Sequence, residues 1–140
     1  MMQILQPPEW AEPRGFSNGI AVKGGTTVYV AGQVGWTGLG EWQAKDFAGQ
    51  FRQALRNILE VLAQAGGRAE HIVRLTWYVI DRDEYLASLA AIGPAYRELM
   101  ERHYPAMAVV QVSGLVEAPA RLEIEATAVI PDSFETEGRA

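Results

Sequence analysis

The stretch RLEIEATAVI, residues 121–130, alternates apolar and polar side chains with a period of two. This period is typical of a β-strand with one buried face, because successive side chains of a strand point to opposite sides of the sheet. Glu123 and Glu125 would lie side by side on the other face, where like charges repel each other. We therefore expect that face to be solvated, or to border a pocket or a subunit interface. The buried face would carry Leu122, Ile124, Ala126, Ala128 and Ile130.

A long amphipathic helix is predicted upstream, from residue 44 to residue 65. Apolar side chains recur there at spacings of three and four, as they do on the buried side of a helix. Asp46 favours the first turn of this helix, and Gly66-Gly67 favours its end. The apolar stripe consists of Phe47, Phe51, Leu55, Ile58, Leu62 and Ala65.

The remaining segments complete a β-β-α-β-α-β-β order. Residues 1–18 are predicted to form an irregular N-terminal arm and residues 131–140 a frayed tail, within a single domain over 1–140. Two helices packed against one mixed sheet constitute an α+β two-layer domain. The segments are a hairpin with strands ending at Val22 and spanning 26–34, a strand over 71–80, a second helix from Asp81 or Asp83 towards Tyr104 that Gly93-Pro94 kinks or splits, and a hairpin with strands in 106–115 and 120–130.

Sorting each strand by parity separates two faces of the predicted sheet. The first is purely apolar and is expected to lie under the helices: Val28, Val30, Val34, Val73, Leu75, Val79, Ala108, Val110, Val112, Leu122, Ile124 and Ala126. The second is mixed: Tyr29, Ala31, Gln33, Arg74, Thr76, Tyr78, Met107, Val109, Gln111, Glu123, Glu125 and Thr127. No helix remains to cover the mixed face, so we expect another subunit to cover it.

Composition limits the function classes. The chain has 140 residues, of which 49% are hydrophobic and 21% charged, and it has no cysteine. Disulfides and thiolate metal sites are therefore excluded, and a reducing, cytoplasmic location fits. The net charge of −5 without a block of Lys and Arg argues against a nucleic-acid partner. The N-terminus lacks a signal-peptide pattern and no run approaches the ~18 apolar residues of a membrane span, so no membrane partner is expected.

The search for catalytic motifs returns mainly absences. His71 and His103 lie far apart without a metal-ligand spacing, which favours structural roles and predicts no metal site. The serines lack a nucleophile-elbow context, and the glycines of GWTGLG, residues 35–40, match no phosphate-binding loop. The four tryptophans are interpreted as core or interface residues rather than as a platform for stacking bases.

Five segments together resemble one known family. They are VYVAGQVG, FAGQFRQALRNILEVLAQAGG, HIVRLTWYVIDRDEY, YPAMAVVQVSGL and LEIEATAVI. In this order and spacing, from about Arg14 to Ile130, they resemble the RidA family of YjgF-type proteins, which are also labelled endoribonuclease-like. The resemblance implies a chorismate-mutase-like fold and a homotrimer whose sheets form a central barrel with the helices outside. It also implies pockets in the clefts between subunits.

The best-known activity of that family is the hydrolysis of enamines and imines such as 2-aminoacrylate, without a metal or organic cofactor. An arginine in a PAR segment grips the substrate carboxylate there, whereas this chain reads PAM and has Met107 at that position. The family's arm tyrosine corresponds to Phe16, its serine before GQ to Ala31, and its helix asparagine to Gly93. Glu123 matches the family. The resemblance therefore implies the scaffold, while Met107 predicts little or no activity on 2-aminoacrylate.

We accordingly predict a homotrimer that binds a small metabolite in interfacial clefts and hydrolyses an imine, an enamine or a related compound. Glu123 would position or activate the attacking water. The predicted substrate-binding residues are Phe16, Ala31, Gly32, Gly93, Met107, Val109 and Arg14. The alternative is a non-catalytic metabolite-binding or regulatory protein that uses the same cleft. A ribonuclease, which the family label suggests, has little support, because the sequence has no His pair and no basic patch.

Overall fold

The computed structural model describes residues 2–132 and contains a four-stranded sheet that packs against helices and a separate two-stranded sheet. The predicted tail beyond residue 132 lies outside the described residues. The α+β class is confirmed, with one additional strand at the N-terminus and with the second helix in two parts. The elements are β1 (Met2–Leu5), β2 (Gly19–Val22), β3 (Thr26–Val34), α1 (Phe47–Ala63), a 3-10 turn (Ala69–His71), β4 (Ile72–Val79), α2 (Arg82–Ala87), α3 (Leu89–Met100), β5 (Ala106–Gln111) and β6 (Leu122–Ile130).

The main sheet has the strand order β3-β6-β4-β5, with β4 and β5 parallel and the other pairs antiparallel. Both predicted hairpins are therefore wrong. β2 pairs with β1 in a separate two-stranded sheet, and β4 lies between β5 and β6. The crossover through α2 and α3 explains the parallel pair, because a connection of this length returns the chain in the same direction. Turn residues between sequence neighbours did not reveal that β6 pairs with more distant strands.

The predicted irregular arm contains β1, whose Met2 pairs with Val22 of β2. The segment from residue 6 to residue 18 has little regular structure, but its end is fixed. The Ser17 N–H donates to the Pro105 carbonyl at 3.1 Å, and its hydroxyl donates to the Tyr104 carbonyl at 2.5 Å. These bonds hold the arm beside the start of β5.

Helix α1 confirms the amphipathic prediction. Asp46 is its N-cap, since the carboxylate accepts a hydrogen bond from the Gly49 N–H at 3.1 Å. The helix ends at Ala63, so Ala65 lies beyond it and is exposed, in contrast to the prediction. The rest of the stripe is buried against the sheet: Phe47, Phe51, Leu55, Ile58 and Leu62.

The second predicted helix is divided at Ser88 rather than at Gly93-Pro94. Asp81 caps α2 by accepting hydrogen bonds from the N–H groups of residues 83 and 84. Ser88 ends α2 and begins α3, and its hydroxyl donates to the Glu84 carbonyl at 2.8 Å. A serine hydroxyl that bonds to the backbone in this way competes with the helix ladder. Pro94 lies inside α3 without ending it.

The face assignment holds for β6 and for residues 28–30 of β3, and it fails for the end of β3 and for β5. The pairing of β3 with β6 shifts between Val30 and Gln33, so Gln33 lies opposite the buried Ile124 and Val34 lies opposite Glu123. Met107 pairs with Leu75 and Val109 with Trp77, so both lie on the helix side and pack against the core. Gln111, opposite the buried Val79, points to the same side. Odd and even positions of a strand show which residues share a face of the sheet, but not which face the helices cover. In β5 the odd and the even positions are both apolar, so the sequence did not indicate which of them is buried.

A register irregularity changes β4 as well. The pairing of β4 with β6 shifts between Ile72 and Arg74. Ile72 is consequently buried in the core, whereas Val73, which we predicted to lie there, is only half-buried. The side of the main sheet away from the helices is called the open face below. It carries Tyr29, Thr76, Tyr78, Ala108, Val110, Glu123 and Glu125.

Residues 2–132 include no helix long and apolar enough to cross a membrane.

Candidate functional site

A cavity of about 530 Å³ lies on the helix side of the sheet, between α2, α3, β5 and the N-terminal arm, and is called the α3 cavity below. Its volume is in the usual range for small-molecule sites. Hydrophobic side chains form most of its lining, and two arginines, Arg14 and Arg97, also reach it. The aromatic wall consists of Phe16, Trp77, Tyr85, Tyr96 and Tyr104, and the aliphatic part of Leu89, Ile92, Met107 and Val109.

Ring contacts hold the aromatic wall in place. Trp77 stacks on Phe51 with centroids 4.7 Å apart, and it meets Tyr85 edge to face at 5.9 Å. Tyr96 stacks on Tyr104 at 5.4 Å with nearly parallel planes. Such pairs add stability beyond the burial of their area, so these side chains form a rigid surface on which a flat ligand can pack.

Three polar groups of this wall have no protein partner within residues 2–132. Trp77 is 3% exposed, yet its indole Nε1–H has no acceptor there. The phenol of Tyr96 donates to the His103 carbonyl at 2.6 Å, but the hydroxyls of Tyr85 and Tyr104 make no comparable bond in this part of the chain. Burial raises the pKa of Tyr85, so its phenol stays protonated and can donate. The two phenol groups can bond to acceptor atoms of a ligand, whereas the Trp77 Nε1 atom is shielded from solvent and therefore from a ligand in this arrangement.

The charge of the α3 cavity is positive. Arg14 and Arg97 line it, no carboxylate does, and neither guanidinium has an ion-pair partner in the described chain. Arg97 follows Gly93 by one turn of α3, so the two lie on the same helix face. The Nη1 atom of Arg97 is 3.5 Å from the position that a Cβ at residue 93 would occupy. The guanidinium thus lies over the glycine, at the cavity.

A second group of predicted site residues lies on the open face. Glu123 pairs with Tyr78, and a Cβ added to Gly32 would collide with the Oε2 atom of Glu123. The glycine therefore leaves the space that the carboxylate fills. Ala31 is exposed beside it on β3. The neighbouring Glu125 accepts a hydrogen bond from the Tyr78 hydroxyl at 3.2 Å. The strand tolerates two acids on one face because Glu125 has this partner and both carboxylates point away from the core.

The predicted site residues thus fall into two sets. The first lines the α3 cavity: Arg14, Phe16, Gly93, Met107 and Val109. The second lies around the open face: Ala31, Gly32 and Glu123. The expectation that Met107 and Glu123 share a sheet face is wrong, because the parallel register of β5 on β4 turns Met107 towards the helices. A single chain does not bring the two sets together.

Sequence reasoning missed several residues of the α3 cavity, above all Arg97, Trp77 and Tyr96. A usable signal existed for Arg97, which stands four residues after the predicted site residue Gly93 and so shares its helix face. No comparable signal existed for Trp77. Its place depends on the pairing of β4 with two other strands.

The two histidines make structural contacts away from the α3 cavity. The Nδ1 atom of His71 accepts a hydrogen bond from the Arg68 N–H at 2.9 Å. The Nε2 atom of His103 lies 2.6 Å from the Ile72 carbonyl, to which it must donate. Burial lowers the pKa of His71 below its ordinary value of 6.5. The negative charge of Glu70 raises this pKa, but by less than burial lowers it. Within residues 2–132, no cluster of three or more His, Asp and Glu is arranged to hold a metal ion.

The chain is similar to proteins of known family along most of its length. The model of the family described as Endoribonuclease L-PSP matches residues 10–130. The 2-iminobutanoate/2-iminopropanoate deaminase of Homo sapiens is 30% identical over 104 residues, which are 74% of this chain and 72% of that protein.

Solved structures show the same arrangement of elements. YyfB from Yersinia pestis, described as a protein of unknown function of the conserved Rid protein family, superposes with a TM-score of 0.82 at 34% identity, covering 92% of this chain and 98% of that one. RidA from an Antarctic Psychrobacter superposes with a TM-score of 0.65 at 30% identity, covering 91% of this chain and 99% of that one.

Proposed function

The chain belongs to the Endoribonuclease L-PSP family, which includes the YjgF and RidA proteins, and on this premise we propose that it binds a small metabolite in the α3 cavity and hydrolyses an imine or enamine there. One observation carries the proposal. Five of the residues predicted to bind substrate line a single cavity, although they come from the arm, from α3 and from β5, and the family resemblance points to three of them, Phe16, Gly93 and Met107.

We propose further that the working form is a homotrimer with the open face at its centre. The open face has half-apolar character and no helix covers it within the described chain: Tyr29 is 79% exposed and Val110 is 43% exposed. Surfaces of this kind are usually buried by a partner. A cyclic arrangement would also bring Glu123 of one chain towards the α3 cavity of the next, which a single chain cannot do.

In this composite site, the carboxylate of Glu123 would orient a water molecule and take up one of its protons. The water oxygen bonds to the imine carbon as the carbon–nitrogen double bond becomes a single bond, and Glu123 passes its proton to the nitrogen. The hydroxyl proton of the resulting carbinolamine then moves to the nitrogen, the remaining carbon–nitrogen bond breaks, and ammonia leaves a carbonyl product. An enamine substrate would first tautomerise to the imine. The O–H donors of the cavity wall would stabilise the developing charge on the substrate. None of these steps uses a metal ion or an organic cofactor.

Met107 limits the range of substrates. A thioether cannot donate a hydrogen bond or carry charge, so β5 offers no grip for the carboxylate of a three-carbon acid. The loss of a charge-assisted hydrogen bond costs on the order of 1.5–3 kcal/mol of binding, or about 10- to 100-fold in affinity. We therefore expect 2-aminoacrylate and 2-iminopropanoate to be poor substrates.

The deciding experiment measures ammonia release. The purified protein is offered 2-iminopropanoate, generated in the assay, and larger imines that carry aryl groups. We expect slow turnover of the first and faster turnover of some of the second, with Glu123→Gln inactive on all of them. Binding of these compounds without ammonia release from any would instead establish a non-catalytic metabolite-binding protein. We place the protein in the cytoplasm, which a chain without cysteine fits.

A further inference from the structure

We infer that Arg97 on α3 binds the anionic group of a ligand whose flat, apolar body packs on the aromatic wall of the α3 cavity. The inference rests on the proposed function, because it names the ligand class of the same cavity. It moves the anion-binding group from β5, where Met107 stands, to the helix on the other side of the cavity.

The charge distribution is the first support. The protein carries a net charge of −5, yet the lining of the α3 cavity contains two arginines and no acid. Several other arginines of the described chain are paired: Arg52 and Arg56 with Glu98, and Arg121 with Glu84. Arg97 belongs to the same helix as Glu98 but has no such partner within residues 2–132. Its guanidinium can form two parallel hydrogen bonds to a carboxylate.

The geometry of α3 supports the assignment to Arg97. Residue 93 is glycine, and the Arg97 guanidinium occupies the neighbourhood that a side chain at 93 would otherwise enter, with Nη1 3.5 Å and Nη2 3.9 Å from the Cβ position. A long side chain on a helix leans towards the N-terminus, over the preceding turn. Arg97 consequently reaches the cavity through the space that Gly93 leaves open.

The aromatic wall determines the body of the ligand. The rings of Trp77, Tyr85 and Tyr96 line the cavity and are fixed by stacking or edge contacts. A planar group packed on such rings gains dispersion and burial energy that a three-carbon acid cannot. An aryl-bearing carboxylate, such as an aromatic 2-imino or 2-keto acid, combines these features.

The test compares three probes by calorimetric titration: 3-phenylpropanoate, its neutral amide, and propanoate. We expect the aryl carboxylate to bind the parent protein at least about tenfold more tightly than either of the others, since each lacks one recognised feature. Arg97→Gln should weaken binding of the aryl carboxylate about tenfold and leave the amide unchanged. Arg97→Lys keeps the charge but loses the planar guanidinium. Its affinity for the aryl carboxylate should therefore lie between those of the parent and of Arg97→Gln.

Arg102→Gln is the matched control, because Arg102 is an exposed arginine just past α3 that does not line the cavity. It should bind all three probes as the parent does. The inference is overturned if Arg97→Gln weakens the acid and the amide equally, if it changes neither, or if propanoate binds as tightly as the aryl acid. Preferred binding of the aryl acid without any ammonia release would contradict only the proposed hydrolysis. Turnover of imines without a preference for aryl carboxylates would contradict only this inference.

Discussion

Met107 and Glu123 lie on opposite faces of the same four-stranded sheet. Met107 pairs with Leu75 on the side that the helices cover, whereas Glu123 pairs with Tyr78 on the open face. Side chains of a strand cannot change face without a shift of register. If both residues act on one ligand, they must come from different chains, so assembly becomes a requirement of the proposed chemistry.

The assembly is tested by a charge on the open face. Val110 lies opposite Tyr78 and is 43% exposed, so Val110→Asp should place an unpaired carboxylate in the proposed interface and dissociate the trimer. Val116→Asp is the control, because Val116 is 95% exposed in a loop outside the sheet. Light scattering gives the mass of each species. A monomeric parent protein, or a trimer that Val110→Asp leaves intact, would contradict the proposal.

The space beside Gly32 offers a test of Glu123. Gly32→Ala should push the Glu123 carboxylate from its position, because the added Cβ would collide with Oε2. We expect ammonia release to fall at least about tenfold while the fold persists, since a misplaced base loses most of its effect. Gly38→Ala provides the comparison, as a Cβ there meets nothing within 4 Å. Equal activity of the two variants would remove Glu123 from the mechanism.

The long elements were predictable from the sequence because one physical signal dominates each of them. In α1, the spacing of Phe51, Leu55 and Ile58 requires a helix with one buried side, and all three are fully buried. In β6, strict alternation places Leu122 and Ile124 in the core. The pairing of the strands was not predictable in this way. It depends on contacts between distant segments, and the local turn residues pointed to hairpins that do not form.

The site was predictable only in part for the same reason. Resemblance to the family identified Gly93 and Met107, and both line the α3 cavity. It could not reveal Arg97, which has no counterpart among the matched residues. It also gave no information on the face of β5, where Met107 and Val109 are as apolar as Ala108 and Val110. Only the register with β4 decides between these pairs.

Acid should destabilise the protein through His71. Its burial lowers the pKa below the ordinary value of 6.5, so the folded state favours the neutral ring. The stability that this contributes is fully present above the unfolded pKa and is lost as the pH falls through the lower folded pKa. Protonation also removes the Nδ1 acceptor of the Arg68 N–H. The melting temperature should therefore fall between about pH 7 and pH 5, less steeply in His71→Gln.

The parent protein is the reference for this pH dependence, because His71→Gln removes the group whose pKa burial lowers. If His71→Gln and the parent lose stability in parallel over this range, another group causes the acid sensitivity.

The most direct measurement of the whole account is subunit complementation between two inactive variants. Glu123→Gln removes the proposed base, and Gly93→Phe fills the α3 cavity from a position where only Arg97 is within 4 Å of the new Cβ. Each variant alone should be inactive on the best imine substrate. In trimers formed from equal amounts of both, a site built from two chains is intact when a Glu123→Gln chain supplies the cavity and a neighbouring Gly93→Phe chain supplies Glu123. Random mixing produces this combination at one site in about four. Activity should then return to roughly a quarter of the parental value. Mixed trimers that release no more ammonia than the two variants measured separately would show that the two faces do not form one site.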